Sequence, residues 1–185
     1  MSKDECLKML MGAIDNVYKK EYFLIQSDIG EWSVAAQLFY YLKKDCSCEL
    51  DVDSEYNKMI RDGVYSGGQL IKRMDEKDED GNPIRIRPDI IVHKRGPSAT
   101  RLLWAEVKRE EGESNEKDLV KIVKVTQPYK RTAEYVTGYD YGASIILGKM
   151  KVRVIFISRG SDDTDMRVGC YTNGGILWKK GIENE

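Results

Sequence analysis

Between Ile86 and Val107 the chain sets down two strand-like runs in quick succession, IRPDIIV and RLLWAEV, and each is broken by an acid. Runs this rich in Ile, Leu, Val and Trp suit strands apolar on both faces, in a sheet covered by helices on either side. Such strands have no solvated face to spare for Asp89 or Glu106. Lys108 adds to the difficulty, because alternation of side chains puts it on the same face as Glu106. The segment KRGPSAT joins the two runs as a hairpin connector. A turn centred on Pro97–Ser98 sets Asp89 opposite Glu106, so two carboxylates and one amine converge on one face of the hairpin. A slip of one residue would separate them.

The flanking segments supply the covering layers. Leu7, Leu10, Met11, Ile14 and Val17 have helical spacing and predict a helix over 3–20. Val34, Ala35, Leu38, Phe39 and Leu42 form the stripe of a second helix from about 28 to 44. CELDVDSEYN reads as a strand around 49–57, and the charge-dense KRMDEKDEDGNPIR reads as a loop. After the hairpin, ESNEKDLVKIVKVTQ reads as a helix ended by Pro128, and YGASIILG and KVRVIFISR as two strands. VGCYTNGGILWKK adds an Asn-Gly-Gly turn and a last short strand pair. The order predicts a single α/β domain over 1–185, a central mixed β-sheet flanked by α-helices.

Composition excludes less than the pattern does. The 30 Lys+Arg against 31 Asp+Glu leave a formal charge of -1, so the chain has no basic coat. Nucleic acid is not excluded, because an acidic site can offset a basic groove and local charge decides. Cys6, Cys46, Cys48 and Cys170, with His93 the only histidine, argue against a Cys/His zinc cage and for reduced thiols. No apolar stretch is long enough to span a membrane, and the expectation is a soluble, cytoplasmic protein.

Two adjacent carboxylates repel unless a proton or a cation lies between them. A hard divalent ion takes carboxylate, phosphate and water oxygens together, and a lysine beside it can meet a phosphate oxygen. That is equipment for metal-assisted phosphodiester hydrolysis. The plainer alternative is an exposed hairpin whose charges form a cross-strand ion pair.

Pro88-Asp89 followed by Glu106-Val107-Lys108 resembles the signature of the PD-(D/E)xK nuclease superfamily, which shares the restriction-endonuclease-like fold. That superfamily's core runs helix, three antiparallel strands, helix, strand, the order found here over roughly 28–148. The resemblance implies that Asp89 and Glu106 bind Mg²⁺ or Mn²⁺, with the Val107 carbonyl as a further ligand and Lys108 as catalytic lysine. It also implies an additional acid from the preceding helix, for which Glu31 is the candidate. Glu31 shares the apolar stripe of its helix, although Asp28-x-x-Glu31 also matches a capping box. Asp53 and Glu55 are weaker candidates, since an edge strand facing water explains them equally well, and His93 is expected at the rim. Lys121, Lys124, Lys130 and Arg131 are the candidates for contacting phosphates. The expected function is a divalent-metal-dependent nuclease acting on DNA rather than RNA, with a homodimer as one arrangement that duplex-cutting members use. The alternative is a catalytically inactive nuclease-fold module for nucleic-acid binding or complex assembly.

Overall fold

The structure, a computed structural model, describes residues 1–55, 73–77, 81, 83–95, 100–110, 116–128, 136–161, 164–172 and 174–181, with 73–77 and 83–85 described as backbone only. The helices are α1 (Lys3–Lys20), α2 (Tyr22–Gln26), α3 (Glu31–Asp45) and α4 (Glu116–Val125). The strands are β1 (Asp51–Ser54), β2 (Arg73–Lys77), β3 (Pro83–Arg85), β4 (Ile90–His93), β5 (Arg101–Arg109), β6 (Tyr141–Leu147), β7 (Lys151–Ser158), β8 (Thr164–Thr172) and β9 (Gly175–Lys180).

Seven strands form one mixed sheet in the order β1-β4-β5-β6-β7-β8-β9. Its neighbours are antiparallel except β5 and β6, which run parallel and are therefore joined by a crossover, supplied by α4. The β4–β5 register pairs Ile90 with Ala105 and Ile91 with Trp104, the register that sets Asp89 across from Glu106.

Side-chain alternation divides the sheet into two faces. Ile90, Val92, Leu103, Ala105, Val107, Ala143 and Ile145 pack with α1 and α3 in the larger core. Ile91, Trp104, Ile155 and Ile157 pack with Ile122 and Val125 of α4 and with Tyr139 on the other face. Helix α1 opens on a capping box, Ser2 with Glu5, with acids in its first turn and lysines in its last, as the helix dipole favours. Gly142 on β6 lets α4 sit close, because a Cβ there would strike the Ile122 side chain.

Four local expectations change. The helix expected from 28 to 44 starts at Glu31. Asp28 lies outside it with φ of 52°, a left-handed conformation that Asp tolerates better than most residues. Its N-cap is Gly30, without a side-chain cap, so the Asp28/Glu31 capping box is not formed. The charge-dense segment expected as a loop holds β2 and β3, paired antiparallel, with Gly81 at φ of 80° between them. Backbone pairing there carries no apolar alternation for sequence reading to detect. The apolar run 84–93 divides into β3 and β4 around Pro88, which has no N–H to give a ladder.

Gly142→Val should overfill the α4–β6 contact and destabilise the protein by about 1–3 kcal/mol. Urea denaturation checks this; an unchanged midpoint would mean that α4 does not rest on β6 as described.

Candidate functional site

The PD segment bends where β4 has not yet begun, and the bend is fastened on both sides. The Asp89 carbonyl accepts from the Glu55 N–H at 3.2 Å, and its carboxylate Oδ2 accepts from the Val107 N–H at 2.7 Å. The first bond ties the bend to the end of β1, the second to β5. Asp89 is thereby held beside Glu106, on the α4 side of the sheet.

Glu106 is buried, 3% exposed. Its Oε1 accepts from the indole N–H of Trp104 at 2.6 Å, two residues back on the same strand face. Trp104 is itself fixed edge-on against Tyr139, with ring centroids 5.3 Å apart. The other oxygen, Oε2, lies 3.4 Å from the Lys121 ammonium of α4, which also holds Asp118 Oδ1 at 2.7 Å. Asp118 Oδ2 lies 3.6 Å from the Lys108 ammonium, and Lys108 lies 3.9 Å from Glu31 Oε1. Glu31 Oε2 accepts from the Arg109 N–H at 3.3 Å. Four carboxylates, Glu31, Asp89, Glu106 and Asp118, thus surround two ammonium groups where β4, β5, α3 and α4 meet.

Burial pushes the Glu106 carboxyl up to about 8; Lys121 opposes that rise, Asp89 and Asp118 add to it, and the Trp104 bond opposes it. Burial likewise raises Asp89, against the Val107 N–H, and Glu31 and Asp118 push the same way. The Lys121 ammonium, in spite of burial, is held above its ordinary range by Glu106 and Asp118.

Of the residues singled out by sequence, Asp89, Glu106, Lys108 and Glu31 come together. Lys121, expected to face phosphates, lies within the cluster with its amine committed to two carboxylates. Lys124 is half-buried on α4, and Lys130 and Arg131 lie outside the described residues. The Val107 side chain faces the larger core. His93 is buried rather than at the rim. Its Nε2 is 2.7 Å from Asp53 Oδ2, and Arg95 pairs with the same carboxylate. Asp53 thus belongs to a separate cluster on β1, where burial raises its carboxyl but the Arg95 and His93 hydrogen bonds win and hold it below its ordinary range. Glu55 pairs with Arg87 at 3.2 Å.

Sequence reading missed Asp118 and Ser144. Asp118 lies four residues before Ile122 and seven before Val125, on the apolar stripe of α4, the same signal that singled out Glu31. Ser144 is directly across from Glu106 in the parallel β5–β6 register, is 1% exposed, and its Oγ has no hydrogen-bond partner among the described residues. No periodicity marks it, because it sits in an otherwise apolar strand.

The donor set suits a hard divalent cation: carboxylate oxygens, with an orphaned buried hydroxyl alongside. Among the described residues, no three or more His, Cys, Asp and Glu side chains stand as a ready metal centre. In this arrangement the ammonium groups of Lys108 and Lys121 balance the acids.

Beside the cluster, a cleft of about 250 Å³ runs between α3 and the end of β1, with Glu31, Asp89 and Glu55 at its acidic side. Among the described residues no helix is long and apolar enough to cross a membrane. Comparison of the chain with protein-family models, with curated proteins and with solved structures gives no match.

The raised Glu106 carboxyl makes stability depend on pH. Below its ordinary value of 4.5 both the folded and the unfolded chain carry the proton. Above that, the unfolded chain gives it up while the folded protein keeps it until about 8. Stability from this group is therefore full at low pH and lost as pH rises through about 8. Glu106→Gln should flatten that decline, seen as a smaller drop in urea midpoint between mildly acidic and mildly alkaline buffer. Parallel curves for the two proteins would show that Glu106 is not buried as described.

Proposed function

We propose that this chain is a divalent-cation-dependent nuclease with the restriction-endonuclease-like fold of the PD-(D/E)xK superfamily, cytoplasmic and acting on DNA rather than RNA. The observation that carries this reading is the convergence of Asp89, Glu106 and Lys108 at one point of the sheet, with Glu31 reaching it from the helix before. With β2 and β3 set apart in their own two-stranded sheet, the remaining order α3, β1, β4, β5, α4, β6 supports it too, since it follows the superfamily's helix, three strands, helix, strand.

Asp89 and Glu106, with Glu31 and the Val107 carbonyl, are the groups that would hold Mg²⁺ or Mn²⁺. When bound, such an ion supplies Lewis-acid polarisation of a phosphate and a more acidic water. Lys108 stands next to these acids, at the exposed side of the cluster, where its charge can meet a phosphate oxygen as negative charge builds. Lys121 and Trp104 keep the Glu106 carboxylate aimed and compensated inside the sheet. Asp118 draws both amines towards the acids, so the lysines are positioned before substrate arrives.

A second reading draws on the same amines. Lys108 and Lys121 already bridge the acids, as in a closed ion-pair network, which suits a nuclease-like module that binds or assembles without cleaving.

The deciding experiment incubates the protein with supercoiled, linear and single-stranded DNA, and with RNA, in Mg²⁺ or Mn²⁺. Cleavage should stop with chelator, and Asp89→Asn, Glu106→Gln and Lys108→Met should each lower its rate at least about a hundredfold. Binding of nucleic acid, followed by fluorescence anisotropy, without cleavage in either ion would support the module. Neither binding nor cleavage would sink both readings.

A further inference from the structure

The cleft beside the acid cluster has a second character that hydrolysis alone does not require. Its α3 wall is apolar: Trp32, Ala35, Ala36 and Phe39 lie one after another along the helix. Trp32 follows Glu31 directly and is 70% exposed, an unusual position for the largest apolar side chain. Ala35 and Ala36 line the cleft between the Trp32 and Phe39 positions. At the end away from the acids, the Lys43 ammonium stands over the Phe39 ring, 5.5 Å from its centroid. The cleft thus joins carboxylates to two aromatic side chains, with a cation on the same helix beyond it.

We infer that this cleft is a subsite for an unpaired nucleotide of the substrate strand, its base stacked on Trp32 and a neighbouring phosphate drawn towards Lys43. The inference rests on the nuclease reading and narrows its substrate class to nucleic acid with single-stranded character next to the bond that is cut. Three observations point the same way. A nucleotide pairs a flat ring with a phosphate, and this side of α3 sets the exposed Trp32 ring between the acids at its start and Lys43 further along the helix. The acidic end belongs to the groups proposed to hold the cation that meets the scissile phosphate. Finally, the cleft, of about 250 Å³, has room for a base lying against the α3 wall. Stacking of this kind tolerates any base, since each has a π-face, so little sequence preference is expected from it.

The test compares wild type, Trp32→Ala, Trp32→Tyr and Asp89→Asn on a short labelled single strand and on the blunt duplex of the same sequence. Binding is followed by fluorescence anisotropy with Ca²⁺, and cleavage on gels with Mg²⁺ or Mn²⁺. Trp32→Ala should weaken single-strand binding about tenfold and leave duplex binding as in wild type. Trp32→Tyr should restore most of the loss, because it returns a stacking face. Trp32 is exposed, so the fold should survive, and matching circular dichroism melts of the variants check this. Single-strand binding that ignores Trp32, or a loss equal on duplex, overturns the inference, as does the absence of single-strand binding. Cleavage that needs Asp89 but not Trp32 overturns the inference alone. Trp32-dependent binding without cleavage of any substrate overturns the nuclease reading and upholds the subsite.

Discussion

The Glu106 carboxylate inside a helix-covered sheet is the constraint from which the surrounding structure follows. A charge at that depth, left without a partner, costs about 3–5 kcal/mol, a large share of what holds a domain together. Every nearby feature answers to that cost. Trp104 donates to one oxygen, Lys121 approaches the other, and the carboxyl holds its proton up to about 8. Lys121 in turn needs Asp118, and Asp118 also engages Lys108. Helix α4 therefore packs on the sheet through Ile122 and Val125 and, in the same stripe, through an acid and an amine. An apolar residue at 106 would relieve all of this.

The architecture makes the convergence geometrically simple. The bend at Pro88-Asp89 ends one strand and starts another, and the Val107 N–H pins it to β5. The parallel β5–β6 step then obliges the chain to cross over the sheet, which brings α4 above the same strand. Helix α3 reaches the spot from the opposite layer, end-on, with Glu31 in its first turn. Four segments from two layers thus meet at one end of β5.

Much of this was legible beforehand, for identifiable reasons. The register of the β4–β5 pair followed from centring its turn on Pro97–Ser98, and the pairing of Ile90 with Ala105 agrees with it. Glu31 and the α1 helix followed from 3.6-residue periodicity. What failed was governed by conformations or partners that periodicity does not encode. Asp28 looked like a helix cap but adopts a left-handed turn, with its carboxylate paired to Arg109 and Lys149. The β2–β3 pairing is invisible in a run of mixed charges. His93 looked like a rim residue because its burial depends on Asp53 and Arg95 closing over it. Asp118 was legible in principle, as an acid on an apolar stripe, but helix starts attract acids for dipole reasons that mask the signal.

Arg109 reaches back to the carbonyls of Leu24 and Ile25 while its own N–H holds Glu31. The acids of the cluster are drawn from positions 31 to 118, so no short fragment of the chain contains them. During synthesis, the N-terminal helices leave the ribosome with Glu31 facing nothing. The cluster comes into being only when β5 and α4 have emerged and docked on the helices before them. A half-made or locally opened chain carries the same residues and none of their joint chemistry.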